Sequence, residues 1–157
     1  MIAHADHTEL ADLVHRYACY ADRRELELLA QLFTVDATLV MPDLPRSMPP
    51  TVEARGRDEI IEVCGKLRRT HATLHAVVGL VIDAGATPDE ATGDVACIAH
   101  HLSGKPGSVV DTVWHLRYRD RYRRVEERWL IARRVLHLEW IEQRPVSAMA
   151  EPTDTPD

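Results

Sequence analysis

At the centre of the chain stands HATLHAVVGLVID (71–83), a β-prone segment that follows helical patterning and precedes three more segments of its kind. Every second residue from Ala72 to Ile82 is apolar, which predicts a strand with one face on a core. The opposite row begins with His71, Thr73 and His75 and continues with apolar residues, so we expect it to be at least half covered. The alternation does not say which of the two rows faces inward.

The other β-prone segments span residues 91–102, 109–122 and 128–141. The connections between consecutive segments are short, and short connections join antiparallel neighbours. The second half of the chain is therefore predicted to be an antiparallel meander.

Helices are predicted upstream of the meander. Residues 8–21 carry apolar side chains at the spacing of an amphipathic helix. Asp22, followed three residues later by Glu25, predicts a capping box that opens a second helix over residues 23–33. The apolar spacing of residues 58–68 predicts a third helix.

A short strand and a proline-rich segment separate the second helix from the third. Residues 37–41 are apolar and β-prone, and residues 42–50 contain four prolines. The prolines predict a loop, placed so that it can lie over the mouth of a pocket. Helices first and strands afterwards predict an α+β fold, with the helices stacked on one face of the sheet.

The size of the chain predicts a single domain. Its 157 residues are 45% apolar and 28% charged, as in ordinary globular proteins. We expect the domain to span residues 1–143. The segment 144–157 is rich in Pro, Thr, Asp and Glu and is predicted to be a flexible tail.

Charge and cysteine content narrow the function classes. A formal net charge of −6 argues against nucleic acid as a partner, which requires a surplus of Lys and Arg. We see no apolar segment long enough to cross a membrane and no signal-peptide pattern at the start, MIAHADHTEL. The three cysteines are distant from one another among apolar neighbours, so we expect reduced, buried thiols and a cytoplasmic protein.

Several motifs together carry a resemblance to SnoaL-like proteins of the nuclear transport factor 2-like superfamily, scytalone dehydratase and hexachlorocyclohexane dehydrochlorinase among them. The resemblance covers roughly residues 8–141. Its motifs, in chain order, are Tyr17–Ala37, Gly56–Ile60, Thr73–His75, Tyr118-x-Asp120-x-Tyr122 and Trp129–Ile131. It implies a cone-shaped α+β barrel, in which a strongly bent, mostly antiparallel sheet packs on three N-terminal helices around a pocket. It also implies a homo-oligomer, a dimer or trimer formed through the outer sheet face.

The resemblance also suggests the site. An aspartate after the first helix pairs with a histidine on the first long strand in these enzymes, which implies Asp22 and His75 here. A further histidine of the dehydratase matches His101, with the adjacent His100 as the alternative. Two tyrosines of the first helix, Tyr17 and Tyr20, are the candidates for hydrogen bonding to a substrate.

The hypothesis for function is a cofactor-independent lyase or isomerase that acts on a small, hydrophobic, cyclic or aromatic molecule. His75 would be the general base, Asp22 would orient it, and His101 with a tyrosine would polarise the substrate. The alternative is a non-catalytic ligand-binding module, or a structural subunit resembling the small subunit of ring-hydroxylating dioxygenases. No metal is expected, since His71 and His75 would lie about 13 Å apart on a strand.

Overall fold

Three α-helices precede most of the sheet in the computed structural model, which describes residues 2–149. They are α1 (His4–Arg23), α2 (Leu26–Gln31) and α3 (Gly56–Cys64), and a short 3₁₀ helix (Gly65–Arg69) continues α3. The apolar face of α1 is buried from Leu10 through Tyr17 to Ala21. The amphipathic spacing of this segment therefore produces a helix that packs on the core.

Six strands form one sheet. They are β1 (Phe33–Asp43), β2 (Ser47–Arg55), β3 (Ala72–Ala84), β4 (Glu90–Lys105), β5 (Ser108–Val125) and β6 (Arg128–Pro145). Their order in the sheet is β2-β1-β6-β5-β4-β3, so β3 to β6 form the predicted meander. All neighbours are antiparallel except β1 and β6, which run parallel. The predicted α+β fold is confirmed, with a sheet that curls against the helices without closing.

The prediction of a loop over residues 42–50 is wrong. Residues 47–50 belong to β2, which forms an antiparallel hairpin with β1, and only residues 44–46 turn. Because β2 lies at the edge of the sheet, its prolines do not remove a hydrogen bond from a central strand. The pairing shifts register beside Pro42, opposite Pro50, as expected where proline interrupts a ladder.

The predicted capping box at Asp22 is also wrong. Asp22 lies inside α1, which continues to Arg23 and ends at Arg24 in the left-handed conformation, φ 62°. Glu25 is the residue before α2, and no side chain caps that helix. Helix α2 is shorter than the predicted range 23–33, because α1 continues to Arg23 and β1 already begins at Phe33. The Asp22 carboxylate is therefore available for contacts elsewhere.

A β-bulge in β3 resolves the question of which row faces inward. Val77 pairs with Cys97 and Gly79 pairs with Ala96, so Val78 is an extra residue in the ladder. His75 consequently faces the helices before the bulge, and Ile82, 8% exposed, faces them after it. The row of His75 therefore faces inward before the bulge, and the row of Ile82 faces inward after it.

One strand boundary and the burial of one cysteine differ from the predictions. β6 runs to Pro145, two residues into the predicted tail. Residues 150–157 of that predicted tail lie outside the described residues. The thiols of Cys64 and Cys97 are free and buried as expected, whereas Cys19 is free and exposed. Within residues 2–149 no helix is long and apolar enough to cross a bilayer.

Candidate active site

A pocket of about 380 Å³ lies between the helix-covered face of the sheet and the helices. Most of its wall is apolar, and a few polar groups reach it from separate elements. Its lining residues are Tyr17, Met41, Pro42, Asp43, Leu44, Val52, Val63, Cys64, Lys66, Leu67, Thr70, His75, His101, Thr112, Trp114, Leu116, Tyr118 and Leu136. An apolar cavity with a few convergent polar groups is the usual form of a small-molecule site.

Asp22 and His75 meet at the wall of this pocket. The His75 Nδ1 atom lies 2.7 Å from Asp22 Oδ1, and the His75 backbone N–H donates to Asp22 Oδ2 at 2.9 Å. The side chain of His75 is 8% exposed and that of Asp22 19%. The end of α1 and the first part of β3 therefore fix the two residues together.

The hydrogen bonds define the tautomer of His75. An ionised carboxylate can only accept, so the ring nitrogen facing Asp22 must carry the proton. The opposite nitrogen, Nε2, then holds the lone pair and has no partner among residues 2–149. Since His75 lines the pocket, this lone pair is the basic group that the site offers to a ligand.

Thr73 and Arg24 hold Asp22 in place. The Arg24 guanidinium donates to Thr73 Oγ1 at 2.7 Å and to Thr70 Oγ1 at 2.9 Å. Because arginine has no acceptor, the Thr73 hydroxyl must direct its own proton to Asp22 Oδ1, 2.8 Å away. Burial alone would raise the pKa of Asp22, but the hydrogen bonds from His75 and Thr73 outweigh it and lower that pKa. Asp22 therefore stays ionised.

His101 reaches the pocket from β4. Its ring centroid lies 5.8 Å from that of His75 and 4.6 Å from that of Trp114. Burial, and then the neighbouring His75, lower the pKa of His101 to about 4. Its Nδ1 atom lies 3.1 Å from the Thr112 carbonyl oxygen, which can only accept. Neutral His101 consequently carries its proton on Nδ1 and presents an acceptor to the pocket, not the donor expected from sequence.

Two phenols line the pocket and pack against a buried ion pair behind its wall. The rings of Tyr17 and Tyr118 are in edge contact, and the Arg134 guanidinium lies over both, 4.1 Å and 4.3 Å from their centroids. Arg134 is fully buried and donates to both oxygens of Asp120, at 2.8 Å and 2.6 Å. Burial raises the pKa of both tyrosines, so they are neutral hydrogen-bond donors.

Two predicted site residues lie elsewhere. Tyr20 is half-buried on α1, and its hydroxyl accepts from Arg16 at 3.3 Å outside the pocket. His100 points to the outer face of the sheet, where its Nδ1 atom lies 2.8 Å from Asp111 Oδ2. Adjacent residues on a strand face opposite sides, so only one of the two histidines of β4 can reach the pocket.

Sequence reasoning missed four residues that shape the site, namely Arg24, Thr73, Trp114 and Tyr118. Three of them could have been found from strand alternation. Thr73 has the same parity as His75 on one strand, and Trp114 and Tyr118 share parity on another. The role of Arg24 depends on its left-handed backbone, which no local pattern indicates. Within the described part of the chain, no three His, Cys, Asp or Glu side chains are grouped to hold a metal ion.

Six curled strands on three helices, with a pocket between the layers, define a nuclear transport factor 2-like fold. The family model of the SnoaL-like domain matches residues 3–135, so the chain belongs to the SnoaL-like family. This confirms the resemblance on which the site prediction rested. The comparison with curated proteins gave no match.

Solved structures with the same fold include enzymes and their homologues. A candidate scytalone dehydratase from Novosphingobium aromaticivorans has a TM-score of 0.75 at 22% identity, covering 98% of this chain and 96% of that one. A candidate aromatic ring hydroxylase from the same organism has a TM-score of 0.76 at 19% identity, and the match covers 93% of this chain and 96% of that one. Hexachlorocyclohexane dehydrochlorinase LinA-type3 from Novosphingobium barchaimii has a TM-score of 0.74 at 14% identity, and the match covers 94% of this chain and 96% of that one. At these identities the likeness concerns the fold alone.

Proposed function

We propose that this protein is a cofactor-independent lyase or isomerase that removes a proton from carbon in a small cyclic or aromatic substrate. The observation that carries the proposal is the Asp22–His75 pair, at 2.7 Å, on the wall of an apolar pocket. The similarity in fold to a candidate scytalone dehydratase and to a dehydrochlorinase supports it.

The protons and electrons balance without a cofactor. His75 Nε2 takes the proton from an acidic C–H bond, and Asp22 stabilises the imidazolium that forms. In an elimination the electron pair of the C–H bond forms a new C=C bond, and the leaving group departs with the electrons of its bond to carbon; a leaving hydroxyl takes the proton from the His75 imidazolium and departs as water. In an isomerisation the electron pair forms an enolate, which the imidazolium reprotonates at another carbon. Tyr17 and Tyr118 can donate to the oxygen on which charge develops.

The pocket restricts the substrate class. About 380 Å³ accommodates a molecule of one to three rings, and leucine, valine and tryptophan side chains form much of its wall. His101 presents an acceptor beside His75, so we expect a substrate hydroxyl to donate to it. A hydroxylated cyclic ketone combines the acidic C–H, the hydroxyl and the carbonyl that these groups would serve.

Proton exchange in D₂O tests the proposal without knowledge of the product. Hydroxylated cyclic ketones, steroids and polyketide fragments are incubated with the protein, and deuterium incorporation or loss of water is followed by NMR and mass spectrometry. We expect at least one compound to react, and His75→Gln to slow the reaction by about 10²–10⁴-fold.

The chain provides a matched control. His100 forms the same kind of pair with Asp111, at 2.8 Å, but on the outer face of the sheet. His100→Gln should therefore leave exchange unchanged. Equal rates in His75→Gln and the unmodified protein would refute His75 as the base.

The alternative function is ligand binding or assembly without catalysis. The likeness in fold to a candidate aromatic ring hydroxylase is the observation in its favour. It predicts that a pocket ligand binds with equal affinity to the unmodified protein and His75→Gln, with no exchange in either. Co-purification with a larger, iron-containing subunit would favour assembly. The predicted dimer or trimer is checked separately by light scattering.

A further inference from the structure

The outer face of the sheet carries a row of arginines that the proposed function does not use. On β5, Arg117, Arg119, Arg121 and Arg123 alternate with buried residues and so share the face directed away from the helices. Such a row needs compensation, because like charges on one β-surface repel each other. Carboxylates neutralise most of the positive charge of this row. Arg119 lies 2.6 Å from Asp94, which also contacts Arg117 at 3.3 Å.

Arg121 differs from its neighbours. It forms no ion pair with any carboxylate of residues 2–149, whereas Arg123, one step along the same face, pairs with Asp36. Directly opposite Arg121 on β6 stands a second arginine, Arg133. Arg133 likewise has no carboxylate partner within the described residues, and donates only to Thr38 Oγ1 at 3.0 Å. Two arginines without a carboxylate partner are therefore direct neighbours on adjacent strands.

A bulge in β6 creates this pairing. Tyr122 is opposite Ile131 and Arg121 is opposite Arg133, so Ala132 is an extra residue. Ile131 is fully buried on the helix side, and without the bulge Arg133 would face the same way. The extra residue instead turns Arg133 outward, beside Arg121.

The two arginines line a depression of about 340 Å³ on this face, together with Thr92, Arg119 and Asp83. We propose that this Arg121–Arg133 site binds the phosphate group of a small phosphate monoester. Two guanidinium forks can engage three or four oxygens of one tetrahedral oxyanion, whereas a carboxylate presents only two oxygens. The Thr92 hydroxyl, opposite Arg121 on β4, supplies a further donor.

The other charges around the depression restrict the ligand. Arg119 is neutralised by Asp94, at 2.6 Å. Asp120 also lines the depression, but both of its oxygens are bonded to the buried Arg134. Asp83 lies two strands from Arg121, across Thr92, or roughly 10 Å away at the usual strand spacing. A carboxylate at that distance repels a second anionic group. The site therefore suits one phosphate on an otherwise uncharged molecule, and the depression has room for a carbon skeleton larger than inorganic phosphate itself.

Titration of the full-length protein with inorganic phosphate, at ionic strength held constant with chloride, tests the site. The side-chain Nε–H signals of the arginines are followed by NMR. We expect saturable shifts of the Arg121 and Arg133 signals, and at least tenfold weaker binding in Arg121→Gln and in Arg133→Gln. Arg123→Gln, on the same strand and face, should bind as the unmodified protein does.

A second measurement separates a built site from general surface charge. In phosphate-free buffer, Arg121→Gln should raise the melting temperature because it relieves repulsion, whereas Arg123→Gln should not. Non-saturable shifts, or equal weakening in Arg123→Gln, would overturn the proposal. It would also fail if Arg121→Gln dissociated an oligomer, because the pair would then contact a second copy of the chain. These outcomes are independent of His75.

Discussion

Replacing Asp22 by Asn tests how the site keeps its base ready. Asp22 Oδ1 accepts from both Thr73 and the His75 ring, and Oδ2 accepts from the His75 backbone N–H. An amide offers one acceptor and one donor where the carboxylate offered two acceptors. The backbone N–H of His75 cannot become an acceptor, whereas the ring nitrogen can. We therefore expect the amide oxygen to face the backbone and the NH₂ group to face the ring.

That orientation reverses the tautomer of His75. Nδ1 would accept from the amide, the proton would move to Nε2, and the lone pair would leave the pocket. Three hydrogen bonds to a charged group, worth about 1.5–3 kcal/mol each, become neutral bonds worth about 0.5–1.5 kcal/mol. Lower desolvation of the amide offsets part of the loss, so we expect destabilisation by about 1–3 kcal/mol. Loss of the base should slow proton transfer by about 10²–10⁴-fold.

Long-range ¹H–¹⁵N NMR of the histidine rings at pH 8 measures the tautomer directly, without a substrate. In the unmodified protein the His75 proton should lie on Nδ1, and in Asp22→Asn on Nε2. Asp111→Asn is the matched control, since it should alter only the signals of His100. Urea titration provides the stability change. If the proton remained on Nδ1 of His75 in Asp22→Asn, the reasoning from acceptor count would be refuted.

Three further predictions concern stability and positioning. The pKa of His101 falls to about 4 from 6.5, so the unfolded chain binds the additional proton between these values. Stability should be fully present above about pH 6.5 and fall by about 3 kcal/mol towards pH 4, and His101→Gln should flatten that fall in urea titrations across this range. Gly93→Ala would place a methyl group 2.5 Å from the Tyr122 hydroxyl, which is fixed on Asp120, and should cost about 1–3 kcal/mol by thermal melting. Thr73→Val should slow the reaction of the Asp22–His75 pair about tenfold, whereas Thr70→Val, which loses a contact to Arg24 but none to Asp22, should not.

Much of the fold was predictable because it follows from local patterns. The amphipathic spacing of α1 and the short connections of the meander both predicted what the structure contains. The hairpin of β1 and β2 was missed for a physical reason. Prolines exclude a central strand but not an edge strand, and the position of a strand within its sheet is set by tertiary pairing.

The candidate site was predictable in part. The family resemblance indicated Asp22 and His75, and the structure brings them within hydrogen-bonding distance. Alternation separated His101 from His100 but could not assign them to faces, because burial depends on which side the helices cover. The acceptor role of His101 depends on the Thr112 carbonyl of the neighbouring strand, a contact set by register and not by sequence.

The extra residue at Val78 separates two tasks that usually compete within one strand: contact with a ligand and packing of the core. Before it, the inward positions of β3 include Thr73 and His75; after it, they include Leu80 and Ile82, which belong to the packed interior. Substitutions that adapt the first set to another ligand leave the second set, and the free energy of folding that it supplies, largely untouched. A scaffold divided in this way can change its chemistry without having to be rebuilt.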